Sequence, residues 1–228
     1  MQHTLLLFDI DGTLLDSGGI GQHAMRTVGQ ETFEGKLDFK NVRFSGMLDP
    51  NIYQEAAQAG GLNDPQTHHQ RFHDAYIEEL TAELDRRSDE SFILPGVIEL
   101  LKATHAHDGT EMGLLTGNYA AAVPLKLRHA GIDIDRFAVT AFGNEAPTRR
   151  ELVGLAMHKY QAIHNTPAQA RRVIVIGDTP RDIDCAKANG CRVLAVATGR
   201  FTAQQLREAG ADTVVDDLAD ASVLMAML

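Results

Sequence analysis

Apolar positions fall into two regimes along the chain. From Pro95 onward, short apolar runs alternate with stretches of helical spacing. The runs at 111–115, 137–140, 173–176, 193–196 and 213–215 read as strands, because each is too short for a buried helix and is bounded by turn-forming residues. The stretches at 97–105, 118–129, 149–163 and 180–189 read as the helices between them, with a last helix before Thr213. Regular alternation of this kind predicts an α/β fold with a doubly wound parallel sheet. Leu5 to Phe8 belongs to the same regime, since its uninterrupted apolar surface suits a central strand covered on both faces.

Between that strand and Pro95 the pattern is helical only. Helices are expected from about Gln22 to Glu34, from Pro50 to the Gly60-Gly61 pair, and from Asp64-Pro65 to about Arg86. In the last of these, Phe72, Tyr76, Ile77, Leu80 and Leu84 recur at the spacing of one helix face. Asp16 to Gly21 reads as a hinge and Arg87 to Ser91 as a polar return crossing. The chain therefore divides into core (1–15), a helical insertion (16–90) and core again (91–228).

Chemistry enters where the apolar runs stop. The first ends in Asp9 and Asp11, which residue alternation projects side by side, and Gly12 then allows a sharp turn. Ligands of open α/β sheets bind just beyond the carboxyl ends of the strands, and two adjacent carboxylates there call for a hard cation such as Mg²⁺. Thr116, Gly117 and Asn118 follow a second run. They form either a small anion cradle at a helix start or, for Asn118, an ordinary N-cap. Thr148 and Glu151 make a capping box that leaves Arg149 and Arg150 in the first helical turn, where the helix dipole disfavours positive charge. A nearby anion would offset that cost; the alternative is a solvated arginine pair. Val173 to Ile176 leads to Asp178, beside Asp9 if the two strands are neighbours. Asp182, one turn further, answers Thr179 as a capping acid and faces the same way.

Asp9-x-Asp11-Gly12-Thr13, Thr116, Arg149 in an Ala-Pro-x-Arg register, and Gly177-Asp178-x-x-x-Asp182 occur in this order. Together they resemble the four motifs of the haloacid dehalogenase superfamily, most closely the phosphoglycolate-phosphatase-like branch. The resemblance implies a Rossmann-like core with an α-helical cap, and a Mg²⁺-dependent phosphatase. Asp9 would be the nucleophile that forms an aspartyl-phosphate and Asp11 the general acid and base. Mg²⁺ would be held by Asp9, the Asp11 carbonyl and Asp178, with Asp182 in support. Thr116, Gly117, Asn118 and Arg149 would bind the phosphoryl group. Arginine at the third motif departs from the commoner lysine, and Arg149 or Arg150 could hold that place. Ser45 to Asp49 resembles a family segment usually written Gly-x-Thr-Asp, with Leu48 in place of the threonine, which removes that hydroxyl's contact and leaves an apolar or smaller substrate open. A phosphomutase, a dehalogenase, and a non-enzymatic module that accepts phosphoryl groups at Asp9 are the alternatives. Asp11 argues against dehalogenation, which needs no proton for its halide.

Bulk properties narrow the partners. A net charge of -10 and a pI near 5.4 argue against nucleic acid or an anionic membrane but allow a small anion, provided that positive charge is concentrated locally; the resemblance implies that this anion is a small phosphorylated metabolite. Cys185 and Cys191 are too few for a disulfide framework, and the N-terminal apolar run is too short for a signal peptide, so a cytoplasmic location is expected. No sequence feature specifies an oligomeric state. Two patterns are decoys. Gly19 to Ala24 fits G-x-G-x-x-A but does not follow the strand directly, and His69 and His73 have metal-ligand spacing without the glutamate of a zinc-hydrolase motif, so they are expected to be exposed.

Overall fold

The computed structural model describes residues 3–90 and 92–228; Met1 and Gln2 of the first core segment and Ser91 of the expected return crossing lie outside them. A six-stranded, all-parallel sheet has the order β3-β2-β1-β4-β5-β6, formed by β1 (Thr4–Phe8), β2 (Thr110–Leu115), β3 (Val139–Ala141), β4 (Val173–Gly177), β5 (Arg192–Val196) and β6 (Thr213–Val215). The chain leaves β1 towards β2 and β3, then returns to lay β4 on the other side of β1. That reversal opens a crevice at the carboxyl ends of β1 and β4, the place where open α/β sheets bind ligands.

Alternation along β1 divides the core. Leu5 and Leu7 face α6 (Arg149–His164) and α7 (Pro180–Ala188), packing with Leu152, Ala156, Tyr160 and Ile183. Leu6 and Phe8 face the other way, towards α4 (Val97–Ala106), α5 (Ala122–His129) and the insertion. These β1 side chains are at most 1% exposed, so each contributes about 1.5–3 kcal/mol by burial, and a charge at any of these positions would break the sheet.

The insertion consists of α1 (Ile20–Glu31), α2 (Asp49–Gly60) and α3 (Pro65–Arg86), near the expected spans. Gly19, at φ 83°, starts α1 two residues early. Ile20, Ala24, Met25 and Val28 form its buried stripe, and they join the cluster that includes Phe8 and Leu114 of the sheet. The insertion thus shares an apolar core with one sheet face. Its two connections run side by side: Asp16 N donates to Phe92 O (2.8 Å), Leu94 N donates to Leu14 O (3.1 Å), and Leu15 bridges Ile93 antiparallel.

One helix begins later than its sequence suggests. The expected helix from Asn118 starts only at Ala122, because residues 116–121 form turns that spend their polar groups on tertiary contacts. Asn118 is therefore not an N-cap. A ninth described helix, α9 (Ala221–Met225), follows α8 (Ala203–Glu208) and β6 and packs against α4.

Candidate active site

Phe8 pairs with Ile176, and Asp9 N donates to Ile176 O at 2.8 Å, so the ends of β1 and β4 are level. Asp9 and Asp178 therefore emerge together, each 5% exposed. Gly12 turns the chain at φ 81°, and a Cβ there would lie 2.5 Å from Asp178 Oδ2; only glycine leaves room for that carboxylate.

Arg149 enters from the start of α6. Its Nη2 lies 3.0 Å from Asp9 Oδ1 and donates to Asp182 Oδ1 at 2.5 Å. The first-turn arginine thus has its anions. Arg150 points away into an exposed pair with Asp184, donating to both carboxylate oxygens at 2.6 and 2.7 Å. Of the two arginines, Arg149 is the one brought to the site. Asp182 serves twice: beyond Arg149, its Oδ2 accepts from Thr179 N (3.0 Å) and Thr179 Oγ1 (2.7 Å) in a capping box.

Asp11 lies further out, with its side chain 40% exposed. It accepts from Lys126 Nζ at 2.9 and 2.7 Å and from Asn118 Nδ2 at 2.7 Å, while Lys126 also donates to Asn118 Oδ1 at 2.6 Å. Thr116 Oγ1, fully buried, accepts from Asn118 N (3.3 Å) and Nδ2 (2.8 Å). The side chains of Asn118 and Thr116 thus form one chain of contacts reaching Asp11, and Gly117 lines the cavity between them.

Burial raises the Asp9 carboxyl to about 7, against the opposing pull of Arg149, and raises Asp178 to about 8 with Asp9 and Asp182 adding to the effect. Asp178 Oδ1 is buried and has no hydrogen-bond partner among the described residues. Ligand atoms of Asp9, Asp178 and Asp182 all lie within 4.8 Å of one another. Desolvated, mutually repelling carboxylates with an orphaned oxygen suit a hard divalent cation such as Mg²⁺. Asp182 has both oxygens engaged by Arg149 and Thr179, whereas Asp9 meets Arg149 through Oδ1 and Asp178 keeps that unpartnered Oδ1, so Asp9 and Asp178 are the side chains that could hold it.

The family model of haloacid dehalogenase-like hydrolases matches residues 6–196. The chain belongs to that family. It is accordingly a hydrolase, and its curated phosphatase relatives support the phosphatase type. It is 28% identical over 225 residues to a phosphoglycolate phosphatase of Vibrio vulnificus (strain YJ016), covering 94% of this chain and 92% of that protein. The fold is shared with a hydrolase from Pseudomonas syringae (TM-score 0.73, 19% identity, 100% of this chain and 99% of the other). It is also shared with a β-phosphoglucomutase from Clostridium difficile (TM-score 0.76, 18% identity, 100% and 97%).

In this haloacid dehalogenase-like hydrolase Asp9, Asp11 and Asp178 line a cavity of ≈ 590 Å³ between sheet and insertion, with Asp182 buried behind them. Lys126, Arg149, Arg26 and Arg200 all line it, interleaved with Asp9, Asp11, Asp16, Asp49 and Asp178, so the cavity holds cationic groups for an anion without an excess of positive charge. Sequence reasoning missed Lys126 and Asp49. Lys126, 4% exposed, stands on the apolar stripe of α5 with Ala122, Val123 and Leu127; a lysine within such a stripe was the available signal. Asp49 also lines the cavity, and its Oδ2 accepts from Tyr119 N at 2.9 Å. Burial raises it to about 7, with Lys126 pulling the other way.

Two expectations are corrected. Leu48 packs with Leu115 and Val139 behind the site and does not line the cavity, so it gives no reason to expect an apolar or smaller substrate. His69 and His73 are half-buried against Tyr119: His69 Nε2 lies 2.8 Å from the Tyr119 hydroxyl, and the His73 ring meets Tyr119 edge-on at 4.9 Å.

Proposed function

We propose that this hydrolase is a Mg²⁺-dependent phosphatase that hydrolyses a small, phosphoglycolate-like phosphorylated metabolite through an aspartyl-phosphate. The convergence of Asp9, Asp178 and Arg149 at the β1/β4 crevice carries this reading. Asp9 attacks phosphorus, the phosphorus–oxygen ester bond breaks, and Asp11 gives its proton to the departing alkoxide. Asp11 then takes a proton from water as the water oxygen attacks the phosphorus, which frees phosphate and restores Asp9. Arg149 and Thr116 hold the non-bridging oxygens, with Gly117 and Asn118 completing the cradle and Asp182 fixing Arg149. Mg²⁺, held by Asp9, Asp178 and the Asp11 carbonyl, supplies the charge neutralisation that lets an anionic nucleophile meet an anionic ester.

Lys126 and Asn118 position Asp11, because its two oxygens are gripped from one side. Residues 16–90 act as the cap: Phe44, Ser45 and Met47 roof the cavity whose floor is the core. Arg26, stacked 5.3 Å over the Phe44 ring, and Arg200 offer counter-charge for a second anionic group on the substrate, as in a phosphorylated acid. The similarity to a phosphoglycolate phosphatase supports that substrate class. Two free, buried cysteines agree with a cytoplasmic setting, and no described helix is long and apolar enough to cross a membrane.

The test is an Asp11→Asn variant with p-nitrophenyl phosphate, whose leaving group departs without a proton. Phosphate should accumulate on Asp9 as a mass addition after acid quench, and be absent once Asp9 is also changed to Asn. An adduct on another residue, or normal turnover of alkyl phosphates by Asp11→Asn, would overturn the mechanism. Phosphoryl transfer to a second sugar in place of water would favour the phosphomutase alternative.

A further inference from the structure

At the opposite end of the sheet from the carboxylates, three potential metal ligands meet. Alternation puts His3 on the same face of the first strand as Leu5, and Leu5 pairs with Glu111 of β2, so both side chains look towards α6. On α6, Leu152, Ala156 and Tyr160 turn to the sheet at four-residue intervals, and the next position in that series is His164. The three elements deliver two imidazoles and a carboxylate to one point. One ligand atom from each of His3, Glu111 and His164 lies within 4.8 Å of the other two.

The polar atoms there are incompletely used. His3 Nδ1 and His164 Nε2 are buried and have no hydrogen-bond partner among the described residues. Glu111 Oε2 is 2.9 Å from His164 Nε2, close enough for an ion pair but not aligned as a hydrogen bond. The rings are already oriented: His3 N donates to the Tyr160 hydroxyl at 3.3 Å, the Tyr160 ring lies 4.4 Å from that of His164, and the two imidazoles meet edge-on at 5.1 Å. A tetrahedral zinc site with bonds near 2.0–2.1 Å separates its ligand atoms by about 3.4 Å, so modest side-chain rotation would close the set.

We propose that His3, Glu111 and His164 form a second metal site, for Zn²⁺ or a similar borderline transition ion, with water in the fourth position. Two nitrogens and one oxygen select that class over Mg²⁺, which favours all-oxygen sites. The ion clips the start of β1 to the end of α6. Those two elements carry Asp9 and Arg149 at their other ends, and a 16-residue helix spans about 24 Å, so the site takes no part in phosphoryl chemistry. It is independent of the phosphatase reading.

The experiment uses the full chain with Mg²⁺ in excess, titrated with Zn²⁺ by calorimetry and with Co²⁺ by visible absorption. Wild type should take up one more Zn²⁺ per chain than His3→Ala or His164→Ala, and lose more than about a hundredfold in affinity in either variant, beyond the loss of an outer-shell partner. The Co²⁺ spectrum should show tetrahedral imidazole ligation in wild type and in Asp178→Asn, and lack it in both histidine variants. Circular dichroism and unchanged metal-matched phosphatase turnover confirm that those variants are folded. Equal Zn²⁺ uptake by wild type and both histidine variants would overturn the site, as would a Co²⁺ spectrum of oxygen ligands alone.

Discussion

Replacing Arg149 by alanine should damage the protein in two separable ways. The guanidinium is 8% exposed between Asp9 and an Asp182 that is wholly buried, so its loss leaves two carboxylates facing each other without a cation. Breaking a buried pair by removing one partner costs about 3–5 kcal/mol. For a chain of this size that lowers the melting temperature by about 6–20 °C. Turnover should fall by about a hundredfold or more if Arg149 also holds transferring oxygens. Lysine at the same position restores the charge without the fork, so Arg149→Lys should recover most of the stability but leave turnover depressed by about tenfold.

Calorimetry and phosphate release, measured well below every melting temperature, keep stability and turnover apart. Arg150→Ala is the control, since its pair with Asp184 is solvent-exposed and should contribute nothing measurable to either readout. Equal, small effects at both arginines would refute the assignment, and so would full turnover in Arg149→Lys.

Three further outcomes follow from the same geometry. Excess chelator should abolish phosphatase activity and Mg²⁺ restore it, with Ca²⁺ a poor substitute because its looser, higher coordination misplaces Asp9; full activity in chelator would rule out the metal. Lys126→Met should slow alkyl phosphates by about tenfold or more while affecting acylphosphate formation from p-nitrophenyl phosphate little, since only the former needs the proton that Asp11 delivers; an equal loss on both substrates would place Lys126 elsewhere in the mechanism. Burial holds Asp49 at about 7, against an ordinary 3.8, so the folded state keeps a proton that the unfolded state has released. That group's effect turns against folding as pH rises between those values, and Asp49→Asn should gain melting temperature relative to wild type from pH 5 to pH 8; a constant difference across that range would refute it.

The acid-bearing half of the site was legible because its signals are local. An apolar run that stops in Asp9, another that stops in Asp178, and a capping box that places Arg149 in a first turn can each be read within a dozen residues. Fold class followed from the alternation after Pro95 for the same reason. What escaped depends on contacts between distant segments. Asn118 has an N-cap's chemistry and a helix-like sequence after it, but its amide is taken by Asp11, 107 positions away, and the helix begins only at Ala122. Lys126 looked like one polar residue in a helix, and only the packing of α5 against α3 and the shared apolar cluster turns it towards Asp11, 115 positions earlier. Leu48 occupies a place where a family hydroxyl was expected, yet the direction of its side chain is set by how residues 44–49 fold back onto the end of β2.

That fold-back ties the helical insertion to the turn that follows β2. Asp49 N donates to Gly117 O at 2.7 Å, and Asp49 Oδ2 accepts from the amide of Tyr119, so the first turn of α2 is bonded to both sides of Asn118. Gly117 has no side chain because a Cβ would strike the Met47 carbonyl; the approach of the two segments is as close as backbones allow. On the far side, the Tyr119 hydroxyl meets His69 of α3. The turn after β2 is thereby tied to the insertion through two of its helices, and it is the same turn that supplies Thr116 and orients Asn118 against Asp11. Residues that line the cavity from the insertion and those proposed to handle the proton are linked through a few short hydrogen bonds. On the proposed mechanism, a substitution in the 44–49 loop should therefore alter turnover through Asn118 and Asp11 as well as substrate preference, and a loop variant that changes substrate preference with turnover intact would refute that link.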